Sequence, residues 1–253
     1  MRLFDLTGKV AVITGSSKGI GRAIAEQMAA CGAKVVISSR KAGPCEDVAA
    51  GIRAASGQAI AIPANISDKG QVEHLIAETR KQLGPIDILV CNAATNPYYG
   101  PSSGVTDEIF DKIMRNNVLS NHWLCQLVRP DMLAKKNGAI VIISSTGGLF
   151  GDSSIGMYCV SKAADMQMAR NLAVEWGPEN IRVNCIAPGV IKTDFAKAIH
   201  ENESVKNMVV NELPLRRLGQ PDDIAGIAVM LAGPAGNYVT GQTIIADGGL
   251  MVR

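Results

Sequence analysis

Seven short runs rich in Val, Ile and Ala recur along this chain, at 10–14, 34–39, 59–66, 86–93, 139–145, 181–187 and 242–246. Longer amphipathic stretches separate them, near 19–31, 45–55, 68–83, 106–134, 153–176 and 222–232. This alternation limits the folds open to the chain more than any other feature. Runs such as Ile86-Asp87-Ile88-Leu89-Val90 and Ile140-Val141-Ile142-Ile143 are nearly continuous in apolar character, which suits strands covered on both faces. Parallel strands need crossovers, and right-handed crossovers through helices put a helical layer on each side of the sheet. The expected fold class is therefore α/β, a doubly wound parallel sheet of about seven strands flanked by helices on both faces. With no linker or internal repeat, residues 1–253 read as one domain. The helix near 153–176 is expected to start at an N-cap, Ser153 or Ser154, and to stop at Gly177-Pro178.

The chain holds 26 Gly among 253 residues but only four Phe, two Trp and four Tyr, so its core must be aliphatic and its glycines must serve the backbone. One cluster is placed where that matters. Directly after the first strand comes Thr14-Gly15-Ser16-Ser17-Lys18-Gly19-Ile20-Gly21, leading into the first helix. Strand, tight glycine turn and helix together make a dinucleotide site. Glycine lets the backbone approach a pyrophosphate, and the helix N-terminus presents free N–H groups to its charge. The sheet is thus Rossmann-like, and Gly15, Ser17, Lys18, Gly19, Ile20 and Gly21 are candidate cofactor contacts.

The second strand discriminates between dinucleotides. A carboxylate about 20 residues beyond the glycines would accept hydrogen bonds from the ribose hydroxyls of NAD. Here the strand ends Val36-Ile37-Ser38-Ser39-Arg40-Lys41, without one. Arg40 can grip a 2′-phosphate with paired N–H donors, and Lys18 offers a second cation, so Ser39, Arg40 and Lys18 point to NADP(H).

Farther along, Ser145 ends the fifth run, and Tyr158 and Lys162 follow in Tyr158-Cys159-Val160-Ser161-Lys162. Residues four apart share a helix face, so the Lys162 ammonium sits near the Tyr158 phenol. A free phenol has a pKa of about 10, and a neighbouring cation favours its anion. This makes Tyr158 an acid–base group near neutral pH, with Ser145 positioned to hydrogen-bond a substrate oxygen. At the chain's own Ser, Tyr and Lys frequencies, about 0.01 such spacings are expected by chance.

Together with Cys91-Asn92-Ala93-Ala94, Asn117-Val118, Pro188-Gly189 and Asp247-Gly248-Gly249, these motifs resemble the short-chain dehydrogenase/reductase family across essentially the whole length. Cys91-Asn92-Ala93-Ala94, Ser38-Ser39-Arg40-Lys41 and Arg182-Val183-Asn184-Cys185-Ile186-Ala187-Pro188-Gly189 are similar to its NADPH-dependent carbonyl and retinal reductases. The resemblance implies that Tyr158 passes a proton to or from the substrate oxygen while a hydride moves at the nicotinamide. Lys162 and Tyr158 would also hold the nicotinamide ribose, and Asn117 would hold a water joining Lys162 to solvent. Asn92 would brace the fourth strand beside the cofactor. Pro188, Gly189, Ile191 and Thr193 would contact the nicotinamide end. The family often carries Asp near adenine after its third strand. Asn65 stands there in this chain, with Ile66 beside it, and its amide oxygen can still accept a hydrogen bond.

The expected reaction is NADP(H)-dependent interconversion of a small-molecule carbonyl, ketone or aldehyde, and an alcohol. The first alternative is a 3-oxoacyl-thioester reductase, whose carrier would dock on a basic patch such as Arg115, Arg129, Lys135 and Lys136. The second is a non-catalytic NADP-binding sensor. Tyr98, Tyr99, Leu149, Phe150 and Phe195 near the expected cleft favour an apolar substrate, and the segment near 192–214 reads as a lid. The resemblance also implies a homo-tetramer or dimer.

A formal net charge of +2 excludes a general field for nucleic acid or an anionic membrane surface. No run approaches the 18 or so apolar residues of a membrane span. The six scattered cysteines form no metal motif and read as reduced core residues. Met1–Thr7 lacks the apolar region of a signal peptide, and the ending Met251-Val252-Arg253 is not a peroxisomal address. These features together give an expectation of a cytoplasmic protein without a metal.

Overall fold

The computed structural model describes residues 2–252; Met1 and Arg253, which belong to the terminal stretches read for targeting signals, lie outside the described residues. The chain alternates as expected. It runs β1 (Val10–Thr14), α1 (Gly19–Ala30), β2 (Lys34–Ser38), α2 (Ala42–Ala54), β3 (Gln58–Ala61), α3 (Lys69–Leu83) and β4 (Ile88–Cys91). Then come α4 (Asp107–Met114), α5 (Ser120–Lys135), β5 (Gly138–Ile143), α6 (Gly156–Trp176) and β6 (Ile181–Pro188). The last part holds α7 (Lys197–His200), α8 (Glu203–Glu212), α9 (Pro221–Ala232) and β7 (Thr243–Ala246).

All seven strands pair in parallel in one sheet, ordered β3-β2-β1-β4-β5-β6-β7. The two-residue side-chain period of a strand explains the layering. Ala11, Ile13, Val35, Ile37, Val90 and Val141 point to one face, where Ile24 and Met28 of α1, Val48 and Ile52 of α2 and Ile224 of α9 cover them. Val12, Val36, Leu89, Ile140, Ile142 and Val183 point to the other, against Leu75 of α3, Val128 of α5 and Trp176 of α6. Five of the six free cysteines are buried, and Cys31 is half-buried.

The strand order reverses between β1 and β4, opening a crevice at the carboxyl ends of the strands. The glycine turn, Ser39, Arg40, Asn92, Ser145, Pro188 and Gly189 lie at the carboxyl ends of their strands, and Tyr158 and Lys162 lie on α6.

Several boundaries differ from expectation, each for a local reason. The third run extends only to Ala61 as a strand, because the chain then turns toward Asn65 and Asp68, whose carboxylate caps α3. The single long helix at 106–134 is two helices joined by one π turn over Arg115–Leu119. Neither Ser153 nor Ser154 caps α6. Asp152 accepts from Ser154 N, Ser154 Oγ and Ile155 N, closing a turn that delays the helix until Gly156. At the other end, the right-handed Gly177 passes the chain into a short 3-10 turn, and Asn180, at φ 57°, makes the left-handed stop. The segment near 192–214, expected to be a lid without strand character, holds a 3-10 turn and the helices α7 and α8.

Candidate active site

The glycine turn is shaped by close approach. Gly15 and Gly19 lie at φ 65° and 56°, in the left-handed region where a side chain is strained. A Cβ on Gly15 would sit 2.8 Å from Asn92 Nδ2, and one on Gly21 would sit 2.5 Å from both Asn92 Nδ2 and Gly15 O. Asn92 is there because its amide donates to Thr14 O at 2.9 Å and Gly15 O at 3.1 Å. In return, Thr14 Oγ1 accepts from Asn92 N at 3.0 Å and Ala93 N at 3.1 Å. The ends of β1 and β4 are thereby locked at the switch point. No side chain caps the start of α1, so its first N–H groups face the cradle. The open cradle, the uncapped helix end and the nearby cations fit a dinucleotide pyrophosphate.

Ser17 and Ile20 are half-buried in this turn. Lys18 Nζ crosses to Asp194 Oδ2 at 2.7 Å, an exposed ion pair tying the turn to the segment after β6. Arg40 is exposed just beyond β2, and Ser39 Oγ shares a hydrogen bond with Cys45 Sγ. Asn65 Oδ1 is engaged by Ser67 N and Oγ, while Ile66 is half-buried beside it. Pro188 closes β6, and a Cβ on Gly189 would meet Asp247 Cα at 2.8 Å. Ile191 is buried in a bridge to Gly219, and Thr193 packs over Gly19.

The candidate catalytic group is assembled by α6 and the end of β5. Ser145 lies two residues beyond β5 in extended conformation, where its Oγ accepts from Gly147 N at 3.1 Å and its hydroxyl is near enough to the Tyr158 phenol to favour the ionised form. The following turn can lie close to α6 only because residue 148 is Gly. A Cβ there would come within 2.8 Å of Ala163 N and Lys162 C. Tyr158 is 8% exposed, and Phe195 leans over it with ring centroids 5.7 Å apart.

Burial pushes the Tyr158 phenol up, against the opposing pull of the Lys162 ammonium and the Ser145 hydroxyl. The net direction is opposite to the one expected from Lys162 alone. Burial of the phenol is the larger influence, and the carboxylate beside the lysine adds to it in the same direction. Lys162 is 2% exposed and stands 5.8 Å from the Tyr158 ring centroid. It donates to Ile143 O at 2.9 Å and to the buried Asp165 Oδ2 at 3.0 Å. Burial works to lower its ammonium, but Asp165 and the Tyr158 phenol outweigh burial and hold it above its usual value.

Asn117 sits in the π turn and is wholly buried. Its Oδ1 accepts from Thr95 N, and its Nδ2 donates to Thr95 O and Ser161 Oγ. Its backbone carbonyl accepts from Asn121 Nδ2 at 2.6 Å, and Asn121 Nδ2 also donates to Asp165 Oδ1 at 2.9 Å. Sequence reasoning missed Asn121, Ser161 and Asp165. An acidic residue one turn past Lys162, on the same helix face, was the available signal. Among the described residues, no group of three or more His, Cys, Asp or Glu side chains gathers as a metal site. No helix there is long and apolar enough to cross a membrane.

Comparison with known proteins agrees with this geometry. The family model described as enoyl-(acyl carrier protein) reductase matches residues 15–251. Dehydrogenase/reductase SDR family member 4 of Oryctolagus cuniculus is 40% identical over 251 residues, covering 98% of this chain and 95% of that protein. A gluconate 5-dehydrogenase from Burkholderia cenocepacia, solved with NADP and tartrate, superposes at TM-score 0.95 with 30% identity, covering 100% of this chain and 98% of the other. A 7 alpha-hydroxysteroid dehydrogenase, solved with NADH and 7-oxo glycochenodeoxycholic acid, superposes at 0.94 with 37% identity, covering 98% and 96%. The chain is an oxidoreductase of the short-chain dehydrogenase/reductase family.

Proposed function

We propose that the protein interconverts a ketone or aldehyde and an alcohol with NADP(H), using Tyr158 as acid and base. The observation that carries this reading is the group of half-buried Ser145 and buried Tyr158 and Lys162, on α6 and at the carboxyl end of β5. When bound, NADP(H) would supply or accept the hydride. The raised phenol remains protonated at neutral pH and donates to the carbonyl oxygen during reduction. Ser145 hydrogen-bonds the same oxygen. Lys162 uses two of its three N–H bonds on Ile143 and Asp165, leaving one for the nicotinamide ribose. Asn117 braces the π turn against the loop after β4 and against α6.

The contacts of the cofactor would come from Gly15, Ser17, Lys18, Gly19, Ile20, Gly21, Ser39, Arg40, Asn65, Ile66, Asn92, Tyr158, Lys162, Pro188, Gly189, Ile191 and Thr193. Preference for NADP(H) rests on exposed Arg40 and on the absence of a carboxylate after β2. Residues 192–214 act as the substrate lid, and Phe195 over Tyr158 favours an apolar substrate.

The second reading is reduction of the ketone of a 3-oxoacyl thioester on a carrier; the description of the matching family model shares the acyl carrier with it but names an enoyl group as what is reduced. Its docking cations are already engaged in part: Arg129 pairs with Glu179 at 2.6 Å and Lys135 with Asp87 at 2.8 Å. A panel of ketones, aldehydes, diketones, retinal, gluconate, a 7-oxosteroid and 3-oxoacyl thioesters, run with NADPH and NADH, tests the proposal. Turnover of free carbonyls with NADPH is expected. Turnover of thioesters alone would move the assignment to the second reading, and NADPH binding without any turnover would make the chain a sensor. The unpaired cysteines favour a reducing compartment, the cytoplasm.

A further inference from the structure

Asp165 is a fully buried carboxylate that the proposed chemistry leaves without a task. A buried acid must be paired or neutral, and its two oxygens decide which. Oδ2 accepts from Lys162 Nζ at 3.0 Å, and Oδ1 accepts from Asn121 Nδ2 at 2.9 Å. Both neighbours are donors, so each oxygen has a lone pair engaged and neither has an acceptor to which a proton could be given. That arrangement of donors fits the carboxylate and an adjacent ammonium, while burial outweighs the donors' pull and holds the Asp165 carboxyl above its usual value. Asn121 is fixed in turn by Asn117 O, and Lys162 by Ile143 O. The result is a continuous polar chain from the π turn through Asn121 and Asp165 to Lys162.

We propose that Asp165, braced by Asn121, is a positioning residue that fixes the Lys162 ammonium beneath Tyr158 and damps its field at the phenol. The proposal rests on the reading of Tyr158 as the acid–base group. The lysine charge reaches Tyr158 together with the opposite charge of its partner, so the phenol experiences a pair instead of a lone cation. The cysteines facing this pair, Cys91 on β4 among them, add no charge, while two charged groups, Asp152 and Arg170, act on those cysteines. Cys185 on β6 and Cys159 on α6 are both pushed up by burial and remain thiols. Asp152, before α6, acts on Cys159. Ser145 and Asn121 are neutral.

Removing the carboxylate removes a buried negative charge, which makes loss of a proton from the Tyr158–Lys162 pair easier whichever member loses it. For alcohol oxidation, which needs that proton gone, the acidic limb of the kcat/KM profile should move to lower pH by about one unit in Asp165→Asn. The kcat should fall because Lys162 is less firmly held. Asp165→Ser, which leaves room for water in place of the carboxylate, should give the same shift. Asp165→Glu, which keeps the charge, should keep the wild-type midpoint. A limb present in the wild type but unmoved in both uncharged variants would overturn the proposal and leave Asp165 a packing residue. Failure of the underlying reading would look different, because Tyr158→Phe would then retain wild-type activity.

Discussion

Two cations near the glycine turn are in different situations, and the difference bears on which one is proposed to select the cofactor. Lys18 is committed to Asp194, an exposed pair worth little by itself but aimed across the crevice. Arg40 stands exposed past β2, at the position where a carboxylate would mark the other dinucleotide. Arg40→Asp should therefore lower the NADPH-to-NADH ratio of kcat/KM by about 10- to 100-fold, from the loss of charge-assisted hydrogen bonds of about 1.5–3 kcal/mol. Steady-state kinetics with each nucleotide checks this, and an unchanged ratio would remove Arg40 from the site. Asn65 is a subtler case. Its amide oxygen already accepts two hydrogen bonds from Ser67, so it holds a turn before it can serve any adenine.

The elements matter to the site chiefly where they approach or break. Ser145 reaches Tyr158 because the turn after β5 lies against α6 at Gly148, where a Cβ would strike the α6 backbone at 2.8 Å. Gly148→Ala should push that turn outward and cost 10-fold or more in kcat, by displacing the Ser145 hydroxyl by a fraction of an ångström. It should also lower stability by about 1–3 kcal/mol through overpacking. Kinetics and urea unfolding measure the two effects separately. The strand and helix alternation, the glycine turn and the Ser145–Tyr158–Lys162 spacing were all legible, because each depends on local period or on residues one helical turn apart. The π turn that presents Asn117 was not, since an inserted residue leaves the apolar pattern of 106–134 nearly continuous. The start of α6 was misread for a related reason. Ser153 and Ser154 have capping chemistry, but Asp152 competes for the same N–H groups and wins. The role of Asp165 needed three dimensions, because its second partner, Asn121, lies on another helix.

For the whole molecule, the sheet buries its middle strands on both faces, and α4 and the π turn present Phe110 and Leu119 at the surface, 44% and 37% exposed. Around Leu119, residues Asp111, Met114, Arg115, Val118, His122 and Met168 line an open depression of about 510 Å³. Family resemblance makes this the proposed contact between copies, so light scattering at micromolar concentration should give a dimer or tetramer; a monomer would contradict it. The neighbouring α6 carries Tyr158, so assembly would steady the helix on which the chemistry rests. The most direct measurement is turnover by Tyr158→Phe in parallel with its NADPH affinity. The expected result is a loss of about 10²- to 10⁴-fold in kcat for carbonyl reduction, with NADPH affinity within a few-fold of wild type. Retention of wild-type turnover by the phenylalanine variant would contradict the account.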